Sequence, residues 1–506
     1  MNLWRDASRH GLRLLGGDLR VVSITLATGL AHLAFAGRYG IFGDELYFIV
    51  CGRHPDFGYV DQPPLLPLID AATQVFGPSP VLLRLPAVLA AMALVPLTAD
   101  FARRLGGSRG AALLAAIGVA LAPILTILTS ITATWTFEPI FWTLAAYLLA
   151  RAVIEGDRRF LLWAGLIGGI SLEAKYGILF WALGLGVGLL LTPARMVFRW
   201  RSLWVGLALG TVVAVPSFVW QQLHGWPFLD IMRQHQLEGS SGGTLRHFVL
   251  AQIVAMNPVL APLWLAGIVA PFCIARLAPA RFLSIGFLVT SAAIYLAGGR
   301  FYYLVAVYPA MIAIGSVACI GLGRRLLGAW IGVAATVVLV LSPALLPILD
   351  PASLAAYFRA LPFDAYTIGT PLGIVFSWEL GWPDLERRVA AAYSALPEGE
   401  RKLTAIFADN FGEAAAIDFY GVADRLPPVI SGHNQYYLWG PGGDPRTIIA
   451  VNSDPARWRQ SCGSVESVGS FGVPFGHPME TDRPIVVCHG YQGGLAAAWP
   501  LFKTFH

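Results

Sequence analysis

Acidic and basic side chains able to do chemistry recur in this hydrophobic chain at places where apolar residues would be cheaper. In "FGDELYFIVCGRHPDFGYVDQPPLLPLI", Phe42 to Ile69, Asp44 and Glu45 are adjacent, and Asp61 stands before Gln62 and a double proline. Glu138 lies in "TATWTFEPIFWTL", Lys175 in "LEAKYG" and Arg84 in "LLRLPAV"; Arg300, Tyr302 and Tyr303 lie in "GRFYYLVAVYP". Carboxylates of this kind take protons from hydroxyls as general bases, or hold a divalent cation such as Mg or Mn. Lys and Arg with tyrosine hydroxyls beside them suit a lipid-linked phosphate. Each residue also has a plainer reading. Asp44 after Gly43 suits a helix N-cap. Glu138 before Pro139 suits a helix N-terminal charge or a partner for Lys175. Arg84 can snorkel to headgroups, and the tyrosines can form an interfacial belt. Against those readings, a carboxylate at membrane depth costs a few kcal/mol unless it is paired or functional.

The elements that must position these groups are membrane helices. The chain has 506 residues, 56% hydrophobic and 13% charged. Apolar runs of bilayer-crossing length start near residues 21, 81, 111, 137, 160, 177, 203, 256, 282, 302 and 329, about eleven in all. The first run has no convincing signal-peptide cleavage site and is read as retained. Every second connection is Arg-rich: Arg5, Arg9, Arg13 and Arg20; Arg103, Arg104 and Arg109; Arg151, Arg158 and Arg159; Arg195, Arg199 and Arg201; Arg276 and Arg281; Arg324 and Arg325. The positive-inside rule puts these in the cytoplasm and puts the Asp44 loop, "LEAKYG", the Gln221–Gln252 loop and "GGRFYY" outside. The net charge of +5 then serves topology and implies no nucleic-acid partner. No Walker loop, dinucleotide fingerprint or zinc-ligand spacing is present, so a nucleotide-driven transporter or enzyme lacks support.

From about Asp350 the text changes character. "LERRVAAAYSAL" has helical spacing, "LTAIFA", "RTIIAVNS" and "RPIVVCHG" read as strands, and "GEAAAIDFYG" reads as a helix closed by Gly421. The expectation is a membrane domain over 1–349 and a soluble, extracytoplasmic α/β domain over 350–506. Cys462 and Cys488 fall in the latter, and an oxidising compartment permits a disulfide that spacing alone does not establish. "SGHNQYYLWG" gathers His433, Asn434, Tyr436, Tyr437 and Trp439, which suit either sugar binding or a buried core. The Gln221–Gln252 loop reads equally as a lid or as a solvated connector.

The membrane motifs, in order, resemble the bacterial lipid-linked-sugar glycosyltransferases of the GT-C fold. Among these are relatives of the protein O-mannosyltransferases (glycosyltransferase family 39) and of the lipid A aminoarabinose and galacturonic acid transferases. "DNFGEAAAIDFYG" and "SGHNQYYLWG" are similar to the C-terminal domain of one bacterial branch. The resemblance implies a multi-pass enzyme of the bacterial inner membrane with a periplasmic C-terminal domain. It would move a hexosyl or pentosyl group from a polyprenyl-phosphate donor to an acceptor hydroxyl, with inversion, in lipopolysaccharide or protein glycosylation. Asp44 matches the general base, with Glu45 beside it and Glu138 as a further acid. Arg84, Lys175, Arg300, Tyr302 and Tyr303 are candidates to hold the donor phosphate; Asp61, Gln62, His433, Tyr436 and Trp439 are candidates for the acceptor or sugar. Two positions depart from the family: Gln62 stands where relatives often have a basic or histidine residue, and Glu138 where the second acid is often Asp. Two rival readings are a flippase for a lipid-linked sugar and a non-catalytic assembly protein that binds glycans. A protein, lipid A, another glycan and a hopanoid-like lipid all remain as acceptors.

Overall fold

The computed structural model describes residues 18–237, 243–361 and 370–505, without the side chains of 235–237. Arg5, Arg9, Arg13 and part of the Gln221–Gln252 loop lie outside the described residues. Two compact units divide the chain: 1–35, 84–219 and 236–346 in the first; 36–83, 220–235 and 347–506 in the second. A seam thus falls beside the expected border near residue 350, and the second unit also takes in the Asp44 loop.

The first unit is helical. Among the described residues five helices are long and apolar enough to cross a membrane: Pro80–Arg104, Arg201–Leu223, Ala275–Leu296, Phe301–Cys319 and Arg324–Leu345. Two bent pairs, Ile178–Leu190 with Pro193–Arg199 and Leu245–Ala255 with Pro258–Cys273, make seven if each pair is one span. The apolar runs of the sequence each begin at or near a helix, but Leu19–Phe35 and Arg109–Ala120 are short.

The 94° bend of the second pair has a local cause. Asn257 takes a positive φ of 68° and Pro258 follows, so the helix cannot continue. The buried Asn257 amide then donates to the carbonyls of Leu121 and Ala334, while its oxygen accepts from the Val259 amide. A single side chain therefore satisfies an amide that the break leaves open, that of Val259, and ties the break to carbonyls of two other helical segments.

Helix Arg159–Ala174 meets Arg201–Leu223 through facing glycines. A Cβ on Gly165 would collide with the Gly206 backbone, and one on Gly169 with that of Gly210. Small residues four apart on both helices let the backbones touch, which is how helices associate where lipid supplies no hydrophobic drive.

In the second unit the strands β1 (Thr404–Ala408), β2 (Val429–Ile430), β3 (Thr447–Val451), β4 (Ser464–Phe471) and β5 (Arg483–His489) form one sheet. Its order is β2-β1-β3-β5-β4, with β1 parallel to β2 and β3, and β5 antiparallel to β3 and β4. The buried strands β1, β3 and β5 are the three apolar runs legible in the sequence. Cys462 and Cys488 form a disulfide that ties β5 to the chain before β4. Helices Trp382–Ala395 and Phe411–Tyr420 match the expected ones. Asn410 caps the latter by accepting from the Glu413 amide.

The Asp44 loop folds within this unit. Helix Gly43–Arg53 packs against Leu65–Thr73 and Phe411–Tyr420 and is buried on nearly every side, so it is not an amphipathic helix lying on the membrane surface. The Tyr39 hydroxyl donates to the Leu349 carbonyl, the Trp220 indole to Asp56, and the Gln221 amide to the Tyr59 carbonyl.

Replacing Gly169 by Val is expected to force the paired helices apart and lower the thermal midpoint of the detergent-solubilised protein, as overpacking typically costs about 1–3 kcal/mol. The same change at Gly186, whose surroundings are open, should cost far less. Equal midpoints for the two variants would contradict the close helix contact.

Candidate active site

The first unit brings together three of the segments singled out by sequence. Glu138 opens helix Glu138–Glu155, with Pro139 at the first turn. Its carboxylate is buried and pairs with the Lys175 ammonium at 3.5 Å. Lys175 ends helix Arg159–Ala174, and its Nζ also lies 4.2 Å from the centre of the Tyr303 ring. Gly177 makes room for this pair, since a Cβ there would collide with Glu138 Oε1. Arg300 donates to the Tyr302 hydroxyl at 3.3 Å, and the Tyr302 ring packs edge-on against Trp135 and Tyr303. Glu138 is therefore the partner of Lys175, the plainer reading of that residue. Its carboxylate fixes a cation that keeps part of its surface open, and Tyr303 fixes it from another side. Arg84, in helix Pro80–Arg104, is 1% exposed, so it does not snorkel to headgroups.

One carboxylate of this unit escaped the sequence reading. Glu173, two residues before Lys175, accepts from the Ser217 hydroxyl at 2.8 Å. It stands inside the quoted "LEAKYG", where attention to the lysine hid it.

In the second unit the adjacent acids Asp44 and Glu45 have different fates. Phe42 is the N-cap of helix Gly43–Arg53, and its amide donates to Glu45 Oε2 at 2.9 Å. Glu45 is wholly buried and meets an open amide of the helix start. The capping role weighed for Asp44 thus belongs to Glu45, while Asp44 keeps partial exposure in the first turn. One turn on, the same helix presents Tyr47.

Tyr47 is fully buried, and its hydroxyl donates to Asp61 Oδ1 at 2.9 Å. The same hydroxyl accepts from the Gln435 amide at 3.1 Å, and the Gln435 side chain accepts from the Val60 amide. Burial raises the Asp61 carboxyl to about 6, opposed by hydrogen bonds from Tyr47 and Asn434 that favour the ionised form. Asn434 holds a positive φ of 47°. Gln62 is buried, and neither end of its amide meets a hydrogen-bond partner among the described residues.

The aromatic run after Gly432 is mainly core. His433 is buried and accepts from the Phe411 amide at 3.4 Å. Tyr436 is buried and donates to Asp418 at 2.7 Å. Trp439 is half-buried, with its ring 4.9 Å from that of the exposed His54. Trp439 is thus the most accessible of the three candidates from this run.

A second acidic pair, invisible in the sequence, lies at the end of β1 and β3. Asn452 donates to Glu413 at 2.6 Å and Asn410 donates to Glu480 at 3.0 Å. Burial, the Glu480 charge and a hydrogen bond with Glu480 push the Glu413 carboxyl well above the usual carboxylate range, opposed by the Asn452 amide. Among the described residues, no group of three or more His, Cys, Asp or Glu is placed to hold a metal ion.

Comparison with known proteins follows the same lines. Residues 61–220 match the family of dolichyl-phosphate-mannose-protein mannosyltransferases. No curated protein matches the chain in sequence. Two solved structures of ArnT from Cupriavidus metallidurans are similar in fold. The apo form aligns with a TM-score of 0.59 at 16% identity, over 95% of this chain and 98% of that one. The form bound to undecaprenyl phosphate aligns with a TM-score of 0.57 at 17% identity, over 92% of this chain and 97% of that one. The resemblance to the GT-C superfamily of membrane glycosyltransferases is borne out, as is the fold of membrane helices followed by an α/β domain.

Replacing Lys175 by Met is expected to strand the buried Glu138 carboxylate. The loss should be about 1–3 kcal/mol, less than for a fully enclosed pair because the lysine is partly open to solvent. Adding Glu138→Met should recover much of it. Thermal unfolding in detergent of the two single variants and the double variant measures this; strictly additive losses would show that the pair is not coupled.

Proposed function

We propose that this GT-C-fold membrane protein is a glycosyltransferase that moves a sugar from a polyprenyl-phosphate donor to an acceptor hydroxyl on the outer face of a bacterial inner membrane. The observation that carries the proposal is the cluster of Lys175, Glu138, Arg300, Tyr302 and Tyr303, assembled from three separate segments. A cation held by a buried acid and an aromatic face, with a guanidinium and a hydroxyl also present, suits a lipid phosphate whose negative charge grows as the sugar departs. One of the two ArnT structures similar in fold is bound to undecaprenyl phosphate. On this reading Glu138 orients Lys175, and Arg84 adds positive charge in the same unit.

Asp44 is the proposed general base. Glu45 already caps the helix, so Asp44 is the acid of that pair left with partial exposure. Its carboxylate takes the proton of the acceptor hydroxyl as that oxygen bonds to the anomeric carbon and the carbon–oxygen bond to phosphate breaks. One direct displacement inverts the anomeric centre. Residues 1–349 supply the membrane domain with its external loops, and residues 350–506 the periplasmic domain. The Cys462–Cys488 disulfide and the Arg-rich alternate connections both support that orientation.

Deleting the gene is expected to accumulate a polyprenyl-phosphate sugar and to leave a glycan one residue short, both read by mass spectrometry. Wild type should restore the pattern, and Asp44→Asn should lower transfer by about a hundredfold or more. Normal transfer by Asp44→Asn would remove Asp44 from the mechanism, and an unchanged lipid and glycan profile in the deletion strain would sink the transferase itself.

A further inference from the structure

We infer that Asp61 is a positioning residue of the transfer site, whose ionised carboxylate locks Tyr47, and with it the helix face carrying Asp44, against residues 434 and 435 of the C-terminal segment. The inference rests on the proposed function for the role of Asp44, but the lock itself is read from geometry. Tyr47 stands one turn after Asp44 on a helix buried on nearly every side, so its hydroxyl fixes the rotation of that helix about its axis. The hydroxyl has one proton to give, which goes to Asp61 Oδ1, and its oxygen receives the Gln435 amide. The Val60 amide, one residue before Asp61, returns to the Gln435 side chain. Residues far apart in sequence are thereby closed into one ring of hydrogen bonds. Asn434, beside Gln435, keeps a backbone conformation that side chains rarely adopt.

The lock depends on the charge of Asp61. Tyr47 and Cys51 face it from the buried helix, and burial keeps both protonated far above neutrality. Asn434 contributes a neutral amide. Behind Tyr47, Tyr436 is bonded to Asp418 of helix Phe411–Tyr420, and Arg53 lies over Phe419 of the same helix. Asp61 itself changes charge near pH 6. The Tyr47 bond favours its ionised form; conversely, protonation weakens that bond. The lock is therefore tight above about pH 6 and loosens as pH falls through that value.

Hydrogen exchange of the peptide covering residues 431–439, in the full chain in detergent and corrected for the intrinsic rate at each pH, tests this directly. Protection of the Gln435 amide should fall about tenfold in wild type between pH 7.5 and pH 5, a hydrogen bond to a charged group being worth that or more. Asp61→Asn, which keeps the shape and removes the charge, should show weak protection at both values, as should Tyr47→Phe. Asp61→Glu should regain part of the pH dependence. Wild-type protection that ignores pH, or equals that of Asp61→Asn, overturns the lock. In the deletion strain, Asp61→Asn should lower transfer at least tenfold and Asp61→Glu should recover part of it; full transfer by Asp61→Asn overturns the positioning role. If the wild-type gene itself leaves the lipid profile unaltered, the transferase reading fails, and the exchange data still decide the lock. Should Asp61→Asn fail to fold, Tyr47→Phe decides, because loss of its hydroxyl removes the proposed link and leaves the carboxylate in place.

Discussion

A carboxylate withdrawn from water must be met by donors or give up its charge, and the arrangement of both units follows from that requirement. Glu138 is met by Lys175, Glu173 by Ser217, Glu45 by the amide of Phe42, and Asp61 by Tyr47. Glu413 is pushed toward the other course by burial beside Glu480, while Asn452 and the amides of Asp409 and Asn410 donate to it. For Glu138, Glu173 and Asp61, and for Glu413 through Asn452, a donor comes from another element, whereas Glu45 is met within its own helix start. Each acid met from another element thus pins two pieces of chain together, with a direction that apolar contact does not supply. The cost of misplacing either piece is an uncompensated charge, which is a sharper penalty than a lost methyl contact.

The same requirement explains how much the sequence disclosed. The apolar runs and the strands β1, β3 and β5 are written as local patterns, and each run begins at or near a helix and each strand appears where its pattern put it. Strand β4 escaped because "SVESVGSF" is exposed almost throughout and carries no apolar alternation; β2 is only two residues long. The site was legible residue by residue but not pair by pair. Lys175 and Glu138 could be proposed as partners because both lie at the ends of apolar runs that the alternation of Arg-rich connections assigns to one side. Nothing in "FGDELYFIV" says that Glu45 rather than Asp44 meets the helix start, since that choice turns on a Phe42 amide. Nor does any local pattern join Tyr47 to Gln435, which follows only once the loop and the C-terminal segment are folded together.

That dependence has a consequence for how the loop acquires its shape. Helix Gly43–Arg53 has almost no solvent-facing side, and an isolated helix of 11 residues is too short to be stable in water. Its neighbours include Leu65–Thr73, which is near in sequence, and Phe411–Tyr420, which is synthesised hundreds of residues later. At Gly52 a Cβ would strike the Pro67 carbonyl, so the first of these contacts is close enough to form with glycine alone. At Gly43 a Cβ would press on the rings of Trp378 and Trp382, which again belong to the late part of the chain. The contacts that hold the loop carrying Asp44 therefore include some that only the C-terminal part of the chain supplies, and its geometry is shared between the two.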